Sequence, residues 1–322
     1  MHRVPTRKPM RLHLLALLPA VLAAAVPAQQ KQSQEELVRL RDEKLKKPVF
    51  HRVAWLFDYD EARQQAQKQG KPIFAYFTRS FRYCEPCEKI EAGALADVAF
   101  GDFAKKIVLF VHNTSKCDGD KYPSLLTDKG LSGFPSVCFL DAQGEVIVQG
   151  NSSSIAGFDS TVAGFESTLA KVGNYLQLKA KAASDPALQK QLLFAELDLE
   201  RLDAAALRQR AAELKNLTAA EQLRIDQRLT DTDVRNLTAR TRELGQEEIG
   251  KQIAALAKAG HRPSEASAAT FWGFVLQHAS RSKDGELADQ AFAELDHRYG
   301  SDPKFARAVA NWQQLLAQAK AR

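Results

Sequence analysis

Apolar residues come in short blocks along the first half of the chain and fall into a helical rhythm in the second. Lys71-Pro72-Ile73-Phe74-Ala75-Tyr76-Phe77-Thr78 is a run of aromatic and β-branched residues opened by a proline, the pattern of a buried strand. Residues 107–112 form a second such run. Val137-Cys138-Phe139-Leu140 and residues 145–149, joined by Asp141-Ala142-Gln143-Gly144, read as the two arms of a β-hairpin. Helical patterns lie between them. Residues 58–70 begin with acids and end in glycine, residues 88–95 follow the first strand, 97–106 make a helical turn or two, and 123–129 a short helix. Residues 161–183 place Val162, Phe165, Leu169, Val172 and Leu176 on one face. Trp55-Leu56-Phe57 is an apolar run suited to a sheet edge. Strand and helix in alternation, with these connection lengths, predict parallel pairing through a right-handed crossover.

From Asp185 onward Ala, Leu, Gln, Glu, Lys and Arg dominate, and glycine and proline thin out. Helices are predicted over 186–202, 204–214, from Thr218-Ala219-Ala220-Glu221 (a capping box), 233–244, 247–259, 263–280, 285–299 and 302–319. Gly300-Ser301-Asp302-Pro303 is a stop and restart. Helix hairpins are the expected arrangement, though no repeat period is evident. The cluster Phe271, Trp272, Phe274, Leu276 reads as core. His261, His278 and His297 have no metal-ligand spacing. Asn216-Leu217-Thr218 and Asn236-Leu237-Thr238 match glycosylation acceptors, a pattern short enough to arise by chance.

The chain opens with Arg3, Arg7, Lys8 and Arg11, then an apolar run over 14–26, then Val26-Pro27-Ala28. That is the three-part pattern of a secretory signal cleaved after Ala28. A retained anchor is the competing reading; it needs roughly 20 uninterrupted apolar residues, and this run is shorter and holds Pro19. Residues 1–28 contain four of the 45 Lys+Arg and none of the 39 Asp+Glu, so 41 basic residues face 39 acidic ones in the remainder. This near-neutral balance gives no reason to expect nucleic acid or anionic lipid as a partner. Residues 29–48 are a polar leader in which no chemistry is evident.

The chemistry concentrates at Tyr83-Cys84-Glu85-Pro86-Cys87, between the first strand and its helix. A strand-to-helix junction places the first thiol at the helix N-terminus, where unpaired N–H groups and the positive dipole end stabilise a thiolate. Two intervening residues keep both sulfurs within reach of each other, so the pair can open and close as a disulfide. The four cysteines (Cys84, Cys87, Cys117, Cys138) are too few for a disulfide scaffold. A zinc site is the competing reading, but it needs Cys117, Cys138 or His112 as further ligands, and these stand singly.

In this order, with Gly133-Phe134-Pro135-Ser136 leading into the hairpin, residues 50–182 resemble the thioredoxin family, in particular its exported thioredoxin-like members. The resemblance implies an α/β thioredoxin-like fold, a central mixed sheet flanked by helices, followed here by an all-α helical domain. The divisions are then 1–28 signal peptide, 29–48 leader, 49–183 thioredoxin-like domain and 184–322 helical domain. It also implies that Cys84 is the attacking and more exposed thiol and Cys87 the resolving one. Pro135 would be a cis-proline facing them, with Phe134 pairing with the substrate backbone and Tyr83 covering the sulfur. Family topology puts Cys117 and Cys138 toward the active-site end of the sheet, as a structural disulfide, a second redox pair or two buried thiols.

Departures from the family pattern carry their own expectations. Glu85 stands where the family often has glycine; its charge disfavours the Cys84 thiolate and points to a reducing or weakly oxidising poise. The strand lacks the buried acid many thioredoxins carry, with Thr78 the nearest polar residue, so proton transfer to Cys87 falls to water, Glu88 or Glu85. Glu88 and Lys89 read as a solvated helix face. The leading reading is an exported, periplasmic or secreted thiol–disulfide oxidoreductase acting on protein thiols and disulfides outside the cytoplasm, with no cofactor beyond the redox-active disulfide and no membrane span after signal cleavage. The rival is a non-catalytic thioredoxin-like interaction module with a structural disulfide. In either, the helical half would bind a protein partner, dimerise or shield the site.

Overall fold

The computed structural model describes residues 32–151, 161–182 and 184–321. The secretory signal and the 152–160 loop therefore lie outside the described residues. The elements are α1 (Gln34–Leu45), β1 (Trp55–Leu56), α2 (Tyr59–Gln69), β2 (Ile73–Arg79), α3 (Glu85–Ala92), α4 (Phe100–Ala104), β3 (Val108–Thr114), α5 (Leu125–Asp128), β4 (Ser136–Leu140), β5 (Val146–Asn151) and α6 (Val162–Ala182). Seven more helices follow: α7 (Gln189–Asp198), α8 (Ala204–Glu213), α9 (Ala219–Ala239), α10 (Thr241–Lys258), α11 (Glu265–Ser282), α12 (Gly285–Tyr299) and α13 (Ala306–Lys320).

The five strands form one sheet in the order β1-β3-β2-β4-β5. β2 runs parallel to β3 and antiparallel to β4, and the β4–β5 hairpin closes the edge. β2 sits at the centre because both of its faces are apolar. Phe74 and Tyr76 point into one core with Trp55, Phe100, Phe103 and Phe165; Ile73, Ala75 and Phe77 point into the other with Tyr59, Ala62, Ala66 and Cys138. Around Phe74 the rings of Phe165, Phe103 and Phe139 lie 4.9, 5.2 and 5.5 Å away. Aromatic packing of that density holds the strand in register and so holds the loop that leaves it.

Local signals place the flanking elements. Asp58 caps α2 by accepting from the backbone N–H groups of Asp60 and Glu61, and Gly70 ends it in a left-handed conformation, φ 62°. The hairpin turn needs a glycine for two reasons. Gly144 has φ 85°, and a Cβ there would fall 2.0 Å from the Tyr59 hydroxyl oxygen.

The first helix after the composition change packs partly on the sheet domain. Ala195 and Leu199, at and just beyond α7, belong to the same core as Phe165, Val172 and Tyr175 of α6. Arg201 Nη1 donates to the Val146 and Ile147 carbonyls of the edge strand, 2.7 Å each, with its guanidinium 4.8 Å over the Tyr175 ring. Covering an edge strand this way removes a template for unwanted pairing. A separate core, built on Phe271, Trp272, Val275 and Leu276 of α11, gathers α9, α10, α12 and α13. The capping box at Thr218 and Glu221 is present. The helix it opens runs unbroken to Ala239, whereas the sequence pattern predicts a new helix from 233. The break falls instead at Arg240 and at Gly245, whose φ of 75° interrupts α10. Among the described residues no helix is long and apolar enough to cross a membrane.

Candidate active site

The loop after β2 delivers Cys84 to the N-cap of α3, with Pro86 in the first turn, where a missing N–H costs nothing. Cys84 and Cys87 are joined as a disulfide, Cα atoms 5.2 Å apart. The Cys87 backbone N–H donates to Cys84 Sγ at 3.3 Å, so the sulfur occupies the position of a capping oxygen. A thiolate there would receive that N–H and the positive end of the helix. The Phe134–Pro135 peptide is cis, and the Phe134 carbonyl oxygen lies 3.8 Å from Cys84 Sγ. The structure thus brings together all five residues singled out in the sequence, but not as expected in every detail. Cys84 is only 3% exposed, barely more than the fully buried Cys87, and Tyr83 turns outward with 74% of its surface in solvent.

Beneath the disulfide lies a charged network. Glu91, two turns after Cys84, is 3% exposed, and Lys44 of α1, 7% exposed, meets it at 2.6 Å. The Glu91 carboxylate also accepts from the Tyr76 hydroxyl at 2.9 Å and the Thr78 hydroxyl at 3.1 Å. Lys47 reaches both Glu91, 3.0 Å, and Glu88, 2.5 Å. Burial works against the Glu88 charge, but hydrogen bonds and charge from Lys47 and Lys44 outweigh it and hold its carboxyl below the usual range. Burial followed by the Glu91 charge pushes the Tyr76 phenol well up, so it stays a donor. Two expectations are overturned here. The leader is part of the packed structure, since α1 supplies Lys44 and the turn after it supplies Lys47. Glu88 is part of an ion network, not a solvated face. A carboxylate does stand near the central strand, but it comes from the helix after the cysteines.

A family profile described as thioredoxin-like matches residues 54–142. Residues 54–142 thus lie in a thioredoxin-like domain. Among solved structures, the oxidoreductase DsbH is 25% identical with a TM-score of 0.28, over 31% of this chain and 74% of that one. A thioredoxin from Thermus thermophilus, solved in solution, is 19% identical with a TM-score of 0.32, over 41% of this chain and 96% of that one. No curated protein matches the chain.

Glu85, expected to oppose the thiolate, is exposed and paired with Lys89 at 2.8 Å, whose hydrogen bond holds its carboxyl below the usual range. Its charge at Cys84 is therefore partly compensated. Cys117 and Cys138 are both free and buried. Cys138 pairs with Ala75 in the middle of the sheet, not at its active-site end. Burial pushes its thiol well above the usual range, which makes it an inert core residue. Cys117 sits in a loop where Ser115 Oγ accepts its N–H at 3.2 Å. Among the described residues no cluster of three or more His, Cys, Asp or Glu is placed to hold a metal ion.

His112 of β3 is largely buried against Phe77, 5.4 Å between ring centres, and its Nε2 meets no partner. Burial lowers its pKa from 6.5 to about 4, against a small opposing pull from Asp120. Below pH 6.5 the unfolded chain takes up a proton that the native one refuses until about pH 4. Stability is therefore lost as pH falls through that window, by about 3 kcal/mol from this group. Urea unfolding of the wild type and His112→Leu at pH 7 and pH 4 checks this: the acid loss should be smaller in the variant by that amount, and equal losses would refute it.

Proposed function

We propose that this protein is an exported thiol–disulfide oxidoreductase that exchanges disulfides with other proteins through Cys84 and Cys87. The observation that carries the reading is the placement of the Cys84–Cys87 disulfide at the N-cap of α3, with the Phe134–Pro135 loop against its first sulfur. The family profile over the same residues supports it. Export rests on the N-terminal basic and apolar pattern.

In the reducing direction the Cys84 thiolate attacks one sulfur of a substrate disulfide. A Cys84–substrate bond forms and the other substrate sulfur leaves as a thiolate. Cys87, losing its proton, then attacks Cys84; the intramolecular disulfide forms and the second substrate thiol departs. Two electrons and two protons pass to the substrate, and a dithiol donor must return them. In the oxidising direction the same steps run backwards. Cys87 and Glu91 lie one turn apart on the buried side of α3. An extended substrate segment would lie along the Phe134–Pro135 edge, where proline offers no competing N–H.

The test is the reduction potential of the pair, from thiol alkylation after equilibration in glutathione and dithiothreitol buffers. A reversible value between roughly −120 and −270 mV is expected, the range of exchange proteins, and its position in that range gives the direction of transfer. A pair that stays oxidised below about −300 mV would be structural, and the reading would fall.

A further inference from the structure

The surface around the disulfide is aromatic and cationic, and its cations have no counter-ion among the described residues. Arg79, at the end of β2, lies with its guanidinium carbon 5.8 Å from the Phe81 ring and 5.8 Å from the Phe134 ring. The two rings meet edge to face at 6.4 Å. Its Nη2 donates to the carbonyl of Tyr83, the residue before Cys84, at 3.0 Å, while its Nε is buried without a partner. Lys116 also approaches Phe81, Nζ 4.2 Å from the ring centre. Its backbone adopts φ 63°, a left-handed conformation unusual for lysine, within the loop that also buries Cys117. Arg82 is exposed beside them.

Among the described residues no ion pair reaches Arg79, Arg82 or Lys116, although the chain elsewhere pairs its surface charges freely. The nearby carboxylates form no ion pair with these cations: Glu85 holds Lys89, Asp120 accepts from Ser115 Oγ, and the exposed Asp118 is joined to none of the three among the described residues. Cations fixed on aromatic faces and left unpaired form a stable positive rim that needs no rearrangement to receive an anion.

We propose that the site selects polypeptide segments carrying an aspartate or glutamate within two residues of the reacting cysteine, the carboxylate seating on Arg79, Arg82 and Lys116 while the cysteine meets Cys84. This rests on the exchange reading above and adds to it a substrate class. Arg79 is suited to the part because its planar fork can hold a carboxylate by two hydrogen bonds.

The experiment uses the reduced full-length protein and synthetic peptides, each with one cysteine as its neutral thiopyridyl mixed disulfide, flanked at both sides by Asp, Asn or Lys. Release of thiopyridone gives the rate of attack by Cys84. Each rate is divided by that of dithiothreitol with the same peptide, which removes the intrinsic effect of the flanking charge. The Asp peptide should react about tenfold faster than the Asn peptide at low salt, and the Lys peptide more slowly still. The advantage should shrink as salt is raised. It should also fall in Arg79→Gln and, independently of any effect of that change on folding, in the exposed-site variants Arg82→Gln and Lys116→Gln. Because the readout is a ratio within one variant, changes in Cys84 reactivity cancel. Equal normalised rates for the Asp and Asn peptides, or a preference for Lys, would overturn the substrate class and leave exchange standing. No reaction with any peptide, while both thiols titrate, would overturn both.

Discussion

Cys84→Ser should abolish disulfide exchange while leaving the fold intact. The hydroxyl fits the N-cap of α3 as well as sulfur does and can accept the same backbone N–H of Cys87, so the helix keeps its start. What disappears is the nucleophile. A serine hydroxyl at this position has no base to activate it and cannot form the mixed disulfide, so turnover of a protein disulfide should drop by at least about 10³-fold. Cys87→Ser should behave differently. Cys84 can still attack, but no thiol remains to release the product, and a covalent complex should accumulate. Non-reducing gels of the two variants mixed with a disulfide-bonded protein separate the cases: trapped complex with Cys87→Ser and none with Cys84→Ser. Full turnover in Cys84→Ser would remove that residue from the chemistry. No trapping by Cys87→Ser would leave the disulfide with a structural role.

Glu91→Ala should destabilise the protein by about 3–5 kcal/mol, the usual cost of removing one partner from a buried ion pair. Lys44 is 7% exposed and has Glu91 as its buried partner, with Glu88 at 3.2 Å on the more open side. Deleting Glu91 also strips the Tyr76 and Thr78 hydroxyls of their acceptor in a place water does not reach readily. Lys44→Met in the wild type should cost a comparable amount. The pair Lys44→Met with Glu91→Leu should recover much of the loss, because apolar groups of similar size replace both charges. Urea unfolding of the wild type, Glu91→Leu, Lys44→Met and the double variant closes a double-mutant cycle, with Glu91→Ala measured beside it. A loss below about 1 kcal/mol for Glu91→Ala would mean that Lys44 finds water or Glu88 without penalty, and that α1 is loosely held.

That network shows where reading the chain from its residues stops. The strand at 73–79, its helix and the hairpin are legible because their signals are local: β-branched and aromatic runs, a proline and a glycine at fixed places, a capping residue. The Cys84–Cys87 spacing is likewise self-contained, since two residues on one helical turn must lie close together. Lys44 and Glu91 are 47 residues apart, and each stands in a stretch whose composition reads as solvated. Charged residues are so rarely buried that a sequence pattern assigns them to the surface. Only the seating of α1 against α3 gives them each other.

The other differences have the same origin. Arg201 lies in the compositionally helical half, yet it closes the edge of the sheet; its partners are backbone carbonyls, which have no sequence signature. Arg79, Phe81, Phe134 and Lys116 come from one strand end and three loops, and no spacing along the chain announces that they meet. The sequence by itself determined the thioredoxin-like succession of strands and helices, the redox-capable cysteine pair and the helical character of the second half, because these depend on interactions between neighbours in the chain. The tertiary structure decided which charges are buried, which are left unpaired at the rim and where the helical half begins to pack, because those depend on desolvation and on distances between residues far apart in sequence.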